Sequence, residues 1–406
     1  MTRSFTRGAC PGLSAPMQTG DGLLVRFLPA APVPLVVFLE LCQAAQRHGN
    51  GTIEISARAS VQVRGLTQAS ARRFAADVAA LDIDICEGVQ IIADPLPGDP
   101  FAQIDTGPIA AALVAAIAEC SLQLAPKVSV VIDGGGRIGL DALFADIRLH
   151  AVAAGEGPKF QLALAGNAES ATPLGLVPVD EAVGVVVNLL TRIAALGREA
   201  RAADLLPISS AAKRRADLVP GRRMDAIDQH PLGVEASALG VGLAFGHAQA
   251  EALAELALIA KQSGAEWMRP APGRALLLGP FKRTTIKTII DEARRLGFAV
   301  DPSDPRRRIA ACPGAPHCMH GLIAARALAA EIARDVSLPE GDGVALHISG
   351  CAKGCAHPSP APLTIVGKET VCGIVRDGTA RAAPSEYIAP GDLIRALTGK
   401  REAVHA

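Results

Sequence analysis

The chain has 406 residues, half of them hydrophobic, and its 40 lysines and arginines are matched by 40 aspartates and glutamates. That length can bury several cores in two to four domains, and a formal charge of zero implies no nucleic-acid or membrane-surface partner. The opening MTRSFTRGACPG lacks the apolar run of a secretory signal, the apolar stretch from Pro108 to Cys120 is too short to span a bilayer, and the odd count of nine cysteines fits a reducing cytoplasm in which thiols stay open to metal.

Along the chain, Asp21 to Leu66 forms the first organised unit. LLVRFLP alternates as a strand, VVFLELCQAAQRHG carries apolar residues at helical spacing, and TIEISARASVQVRGL alternates again, which predicts a βαβ unit followed by a helix over SARRFAADVAALD. Pro126 to Leu205 adds the strands KVSVVID, ADIRLHAV and FQLALAG and the helix DEAVGVVVNLLTRIAALG. Gly134, Gly136 and Gly139 match the dinucleotide pattern G-x-G-x-x-G, but a strand follows instead of a long helix, so a loop is expected there and reducing equivalents must come from a separate donor. Near Gly240 the first order returns: VGLAFGH as a strand, AEALAELALIAKQSG as a helix, ALLLGP as a strand and KTIIDEARRLGF as a helix. Two copies of one plan, about 210 to 220 residues apart, imply an internal duplication with approximate two-fold symmetry. Proline and glycine mark expected joints at Asp94 to Pro100 and Pro220 to Gly233.

The segment from Ala311 to Gly367 carries four cysteines in two pairs, Cys312 with Cys318 and Cys351 with Cys355. The run HGLIAARALAAEIA between them is helix-like and can fold back to bring the pairs together. A [4Fe–4S] cluster takes one thiolate per iron, which matches this set; structural zinc is the other reading, although its pairs usually bracket two to four residues. Gly314, Gly350 and Gly354 leave room for backbone N–H groups near the sulfides, and Lys353 offers a positive charge. His317, His320, His347 and His357 are nearby candidates for a further iron, with no spacing that selects among them; His347 reads as a core residue and His320 as a helix start. Cys10, Cys42, Cys86, Cys120 and Cys372 read as buried small hydrophobes. Arg26, Arg58, Arg64 and Lys127 stand at strand ends where packing needs no cation, so they are candidates for binding carboxylates, with a solvated strand end or a surface ion pair as the plain alternative for each, most of all for Arg64.

The spacing C-x5-C followed by G-C-x3-C resembles the cluster motif of sulfite and nitrite reductases, and RGACPGLSAPMQTGDGLLVRF, Arg7 to Phe27, is similar to the precorrin-3B synthase branch of that superfamily. The resemblance runs roughly from Cys10 to Gly367. It implies an α+β, duplicated sulfite/nitrite-reductase-like fold with two ferredoxin-like half-domains (10–95 and 225–300) and two αβ domains (100–210 and 301–400, the latter carrying the cluster) in pseudo-two-fold arrangement. Through the reductase strand T-T-R-Q-x-x-Q-x-H-G, Arg58 aligns with the active-site arginine. Gln62 and Gly65 match, Ala59 replaces the glutamine and Arg64 the histidine. Arg26 matches the arginine of the preceding strand, and Lys127 the first lysine of a K-x-K strand whose second position is Ser129 here. That serine cannot supply the second charge used in reducing an oxyanion.

For function, the resemblance implies a cytoplasmic enzyme of aerobic cobalamin biosynthesis, which uses O2 to hydroxylate precorrin-3A at C20 and closes a γ-lactone from the ring-A acetate. The implied cofactors are a [4Fe–4S] cluster on Cys312, Cys318, Cys351 and Cys355 and a mononuclear non-haem iron with unassigned ligands; electrons come from an external donor ultimately using NADH. The tetrapyrrole would lie against Arg26, Arg58, Arg64, Lys127 and Ser129, with Arg58 and Lys127 also catalytic. The alternatives are a sirohaem-dependent sulfite or nitrite reductase and a non-catalytic iron–sulfur protein for electron transfer or redox sensing.

Overall fold

The computed structural model describes residues 11–85, 88–155, 157–206, 233–235, 238–282, 284–338 and 343–399. Cys10, Cys86 and nearly all of the joint expected at 220–233 lie outside them.

The same order of elements occurs twice. The first half runs β1 (Met17–Thr19), β2 (Gly22–Phe27), β3 (Val33–Pro34), α1 (Leu35–His48), β4 (Thr52–Ile55), β5 (Val61–Leu66), α2 (Gln68–Ala80), β6 (Gln90–Ala93), α3 (Thr106–Cys120), β7 (Ser129–Asp133), β8 (Ala145–Ala154), β9 (Gly157–Gly166), β10 (Thr172–Val177) and α4 (Ala182–Leu196). The second repeats it: β11 (Gly233–Glu235), β12 (Ala238–Gly242), β13 (His247–Gln249), α5 (Ala250–Gln262), β14 (Trp267–Ala271), β15 (Ala275–Gly279), α6 (Ile286–Arg295), β16 (Ile309–Ala311), α7 (Ala325–Asp335), β17 (Leu346–Ser349), β18 (Ala361–Gly367), β19 (Cys372–Gly378), β20 (Glu386–Ile388) and α8 (Leu393–Gly399). Among the described residues no helix is long and apolar enough to cross a membrane.

The strands form two pairs of five-stranded sheets. The central pair has the orders β1-β2-β5-β4-β13 and β11-β12-β15-β14-β3, so each sheet takes its last strand from the other half. β13 pairs with β4 through Ala248 and Ile53, and β3 pairs with β14 through Val33 and Met268. Helices α1 and α5 lie together in the core shared by the two sheets. Their buried residues, Phe38, Leu41, Cys42 and Ala45 on one and Leu253, Leu256, Ala257 and Ala260 on the other, recur at the 3.6-residue period of a single apolar face.

The outer sheets have the orders β10-β9-β8-β7-β6 and β16-β17-β18-β19-β20. In each, the first three strands in chain order are parallel and the last two antiparallel. Helix α3 or α7 connects the first two parallel strands, as parallel pairing requires. The loops that leave those strands therefore emerge side by side at one edge of the sheet, where open α/β sheets gather their ligands.

Several expectations are corrected. TIEISARASVQVRGL is not one strand but the antiparallel hairpin β4–β5, because Ser56 Oγ accepts the backbone N–H groups of Arg58 and Ser60 and Ala59 takes a positive φ of 64°. Both arms alternate with period two, so the turn between them is invisible to periodicity. Since β2 also pairs antiparallel with β5, the unit is β-α-β-β and not a parallel βαβ. The residues 94–100 are not a joint: β6 already belongs to the outer sheet, and Asp94 and Leu96 are buried in the loop that leaves it. VGLAFGH breaks after Gly242 into a single turn at Ala244–Gly246 before β13. Cys42 and Cys372 are buried as expected, whereas Cys120 is exposed at the end of α3. Helix α7 begins only at Ala325, leaving His320 in an exposed loop. The Gly134–Gly139 stretch is a loop, followed by β8.

Candidate active site

Adjacent parallel strands present both cysteine pairs. Cys312 follows β16 directly and Cys351 stands two residues past β17. The loops are tied to each other by their backbones: Gly350 N–H donates to Cys312 Sγ at 3.1 Å, and Leu322 N–H donates to the Gly350 carbonyl at 2.8 Å. Within the first loop Cys318 N–H donates to the Gly314 carbonyl at 2.7 Å. Gly314 has φ +65°, and a Cβ there would lie 2.4 Å from the backbone nitrogen of Ala325, so only glycine lets this loop sit on the start of α7.

The four thiols share one electrostatic neighbourhood. Burial raises the pKa of Cys312, the charges of Cys318 and Cys355 add to the rise, and N–H groups of Gly350 and Gly314 oppose it. Burial likewise raises Cys355, with Cys351 and Cys318 adding and Lys353 and Lys127 opposing. Among the described residues no three of these sulfurs lie within 4.8 Å of one another. A single tetrahedral ion with metal–sulfur bonds of about 2.3 Å would draw them to about 3.8 Å. Four thiols on two adjacent loops, with backbone N–H groups turned toward Cys312, are a donor set that a metal centre could use.

The central sheet β1-β2-β5-β4-β13 turns a polar face away from its core. Val25, Ile53 and Val63 point into the core, while Arg26, Glu54, Gln62 and Arg64 alternate with them on the other side. Arg26 donates to Gln62 Oε1 at 3.2 Å. At the β4–β5 turn Arg58 reaches the first αβ sheet, with its Nη2 3.4 Å from Ser129 Oγ. Ser129 is fully buried, its N–H held by Asp146, and Asp146 is held in turn by Arg201 at 2.7 Å. Lys127 is exposed just ahead of β7, close enough to act on the Cys355 thiol. Arg58 and Ser129 therefore meet across two sheets, and Lys127, two residues before Ser129, lends its charge to Cys355 of the other half.

No protein-family model matches the chain. A precorrin-3B synthase from Sinorhizobium sp is 39% identical over 393 residues, which are 95% of this chain and 86% of that protein. The chain belongs to the precorrin-3B synthase family. A chloroplastic ferredoxin–nitrite reductase from Oryza sativa subsp. japonica is 24% identical over 151 residues, 36% of this chain and 25% of that protein. The solved NirA protein of Mycobacterium tuberculosis superposes with a TM-score of 0.67 at 17% identity, covering 92% of this chain and 79% of that one. This chain thus has the fold of the NirA protein.

In this member of the precorrin-3B synthase family Arg64 takes the ion-pair alternative, buried instead of at the surface. Its guanidinium, in a residue only 4% exposed, donates to both oxygens of Asp21 at 2.9 and 3.1 Å and to the His317 carbonyl, and lies 3.5 Å from Glu54. Glu54 also accepts from Arg326 at 2.7 Å. The network clasps the central sheet to the first cysteine loop, beside a cavity of about 370 Å3 that Asp21, Arg64, His247, His317 and Arg326 help to line. Gly20 presses on the same loop, since a Cβ there would lie 2.7 Å from backbone atoms of Pro316, Cys318 and Met319. Replacing Glu54 by glutamine leaves two inward guanidinium groups without their shared charge and is expected to destabilise the fold by about 3 kcal/mol. Urea unfolding of Glu54→Gln against the parent measures it; an unchanged midpoint would rule the network out as a structural clasp.

His347 is the core residue expected from its strand, fully buried, with its ring 5.8 Å from that of His357 in an edge-on arrangement. Burial, then the charges of His357 and Arg274, push its pKa from 6.5 down to about 4. The unfolded chain therefore takes up a proton, below its own value of 6.5, that the folded chain refuses. Stability is full above that pH and declines as pH falls toward 4, by up to about 3 kcal/mol. His347→Phe is expected to flatten this decline in denaturant titrations at pH 7 and pH 5, and an identical slope in both proteins would count against it.

Sequence reasoning missed Asp21, Glu54, Arg274 and Arg326. A signal existed for Glu54, an acid inside the alternating run TIEI. Arg274, which reaches the Ala356 carbonyl at 3.0 Å, lies in a turn without a pattern.

Proposed function

We propose that this chain catalyses the O2-dependent monooxygenation of precorrin-3A at C20, with a γ-lactone formed from the ring-A acetate. The observation that carries the reading is 39% identity across 95% of the chain to a precorrin-3B synthase. One oxygen atom enters the product and the other leaves as water, with two electrons and two protons supplied from outside.

Cys312, Cys318, Cys351 and Cys355 would hold a [4Fe–4S] cluster. When bound, the cluster supplies single electrons, from an external donor ultimately using NADH, and a mononuclear non-haem iron supplies O2 activation. The protein's own part is orientation and charge. Arg58 and Lys127 bind acetate and propionate groups of the macrocycle, as planar guanidinium and as point charge, and Arg26, fixed by Gln62, extends the same cationic edge. Arg58 is steadied by Ser129, and Ser129 through Asp146 and Arg201, so the substrate's rim meets a preset row of donors. Because Lys127 also lies near Cys355, a tetrapyrrole held there is presented to the cysteine loops. Ser129 leaves the site without the second lysine of the reductases, which favours a neutral organic reaction centre over reduction of an oxyanion.

The test is anaerobic incubation with precorrin-3A followed by labelled O2 and mass analysis. One labelled oxygen in a lactone product is expected, and a product without label rules the monooxygenase reading out. Absorption of the purified protein separates the reductase alternative, because bound sirohaem would give an intense haem-like spectrum.

A further inference from the structure

The two halves touch at matching turns of the central sheets. In the first half the turn between β4 and β5 carries Arg58; in the second, Pro272, Gly273 and Arg274 join β14 to β15. Each turn holds one non-glycine residue at a φ of 64°, Ala59 in one and Arg274 in the other, a conformation that L side chains rarely adopt. The turns are bonded to each other: Gly273 N–H donates to the Ala57 carbonyl at 3.1 Å, and Arg58 pairs with Pro272 in an isolated antiparallel bridge. The backbone of Arg274 is thereby held beside that of Arg58.

Its side chain is held as well. The stem packs over Gly246, where a Cβ would lie 2.7 Å from Arg274 Cδ, and Nη2 donates to the Ala356 carbonyl at 3.0 Å, one residue beyond Cys355. Arg274 therefore stands between the turn that carries Arg58 and the second cysteine loop, the loop on which Lys127 acts from the first half.

This half-buried guanidinium has no counter-charge in the chain. Among the described residues its side chain bonds to that one carbonyl and no carboxylate pairs with it. Burial lowers its pKa, and the charge that adds to this is Arg326, of the same sign. Arg274 in turn acts on His347 and His357, both held below their usual 6.5 and so neutral at pH 7. A cation kept from water without an anion is costly, so its place implies an anionic group that the chain does not itself supply. The cysteine thiols are not that group, since the cations that act on Cys355 are Lys353 and Lys127.

We infer that Arg274 binds a carboxylate of the tetrapyrrole and so carries the cationic edge of Arg26, Arg58 and Lys127 into the second half of the chain, an inference that rests on the substrate reading above. The macrocycle bears acetate and propionate groups around its rim, whereas the cations assigned to them so far all come from the first half. A guanidinium with one N–H spent on Ala356 keeps donors for both oxygens of a carboxylate. The same side chain then ties one edge of the substrate to the loop of Cys355.

The test is anaerobic equilibrium binding of precorrin-3A to the full chain with its cysteine centre loaded, in the parent and in Arg274→Gln and Arg274→Lys, with iron and acid-labile sulfide measured in each. Glutamine can still donate to the Ala356 carbonyl but carries no charge, so it separates substrate binding from support of the loop. Arg274→Gln is expected to bind precorrin-3A at least about tenfold more weakly with unchanged iron and sulfide, and Arg274→Lys to recover part of the loss. In turnover the defect should appear in KM more than in kcat. Affinity equal to the parent's in Arg274→Gln would overturn the inference and leave the substrate reading standing. A matching loss of iron and sulfide in that variant would overturn it too, by giving Arg274 to the cysteine centre. A parent that binds no precorrin-3A would overturn both readings.

Discussion

Cys355→Ser is expected to yield a protein with background iron and acid-labile sulfide and no turnover of precorrin-3A. Burial raises the pKa of the Cys355 thiol, the charges of Cys351 and Cys318 add to the rise and Lys353 and Lys127 oppose it, so the thiolate forms there only with iron to bind it. A serine hydroxyl at that place cannot take over the role of the thiolate, so one corner of the proposed cluster would lose its protein ligand. Cys42 is the matched control. Its thiol is pushed up to about 12 by burial among apolar residues, so Cys42→Ala should keep the full iron and sulfide content. Iron and sulfide analysis of both variants decides the matter: full occupancy in Cys355→Ser would remove this residue from the ligand set, and equal loss in Cys42→Ala would show a general folding defect.

The second large effect is expected at Arg58. Removing a guanidinium that binds a carboxylate forfeits about 1.5 to 3 kcal/mol, a loss of about 10- to 150-fold in affinity for precorrin-3A. Arg58→Lys keeps the charge but not the planar fork and should recover part of it. Anaerobic equilibrium binding of the coloured substrate measures both variants. Binding unchanged in Arg58→Ala would exclude this arginine from the tetrapyrrole site, and an equal drop in the cluster content of that variant would assign it to structure instead.

How much of this could be read from the chain depended on the kind of signal. The helices announced themselves through apolar periodicity, and the internal duplication through the return of one order of elements near Gly240. The cysteine spacing marked two loops because Cys312, Cys318, Cys351 and Cys355 are a rare residue type at a specific separation. Three things stayed hidden. The hairpin turn at Ser56–Ser60 left the alternation unbroken on either side, so periodicity alone passed through it. Strand β14, WMRPA, contains a proline and no alternation, and its existence follows only from pairing with β15 and β3. The fate of Arg64 was set by Asp21, Glu54 and the carbonyl of His317, partners up to 253 positions away that no local pattern connects.

The crossed edges of the central sheets have a consequence for assembly of the chain. Neither half holds all five strands of its own sheet, since β13 completes the first and β3 the second. A ribosome that has released only the first half has made a sheet with an open margin, and that margin waits for residues near His247 that do not yet exist. Closure is therefore late, and contacts of such long range make it slow. The two halves, produced as separate polypeptides, should be insoluble or loosely ordered alone, yet able to find each other when mixed, because each carries the piece its counterpart lacks.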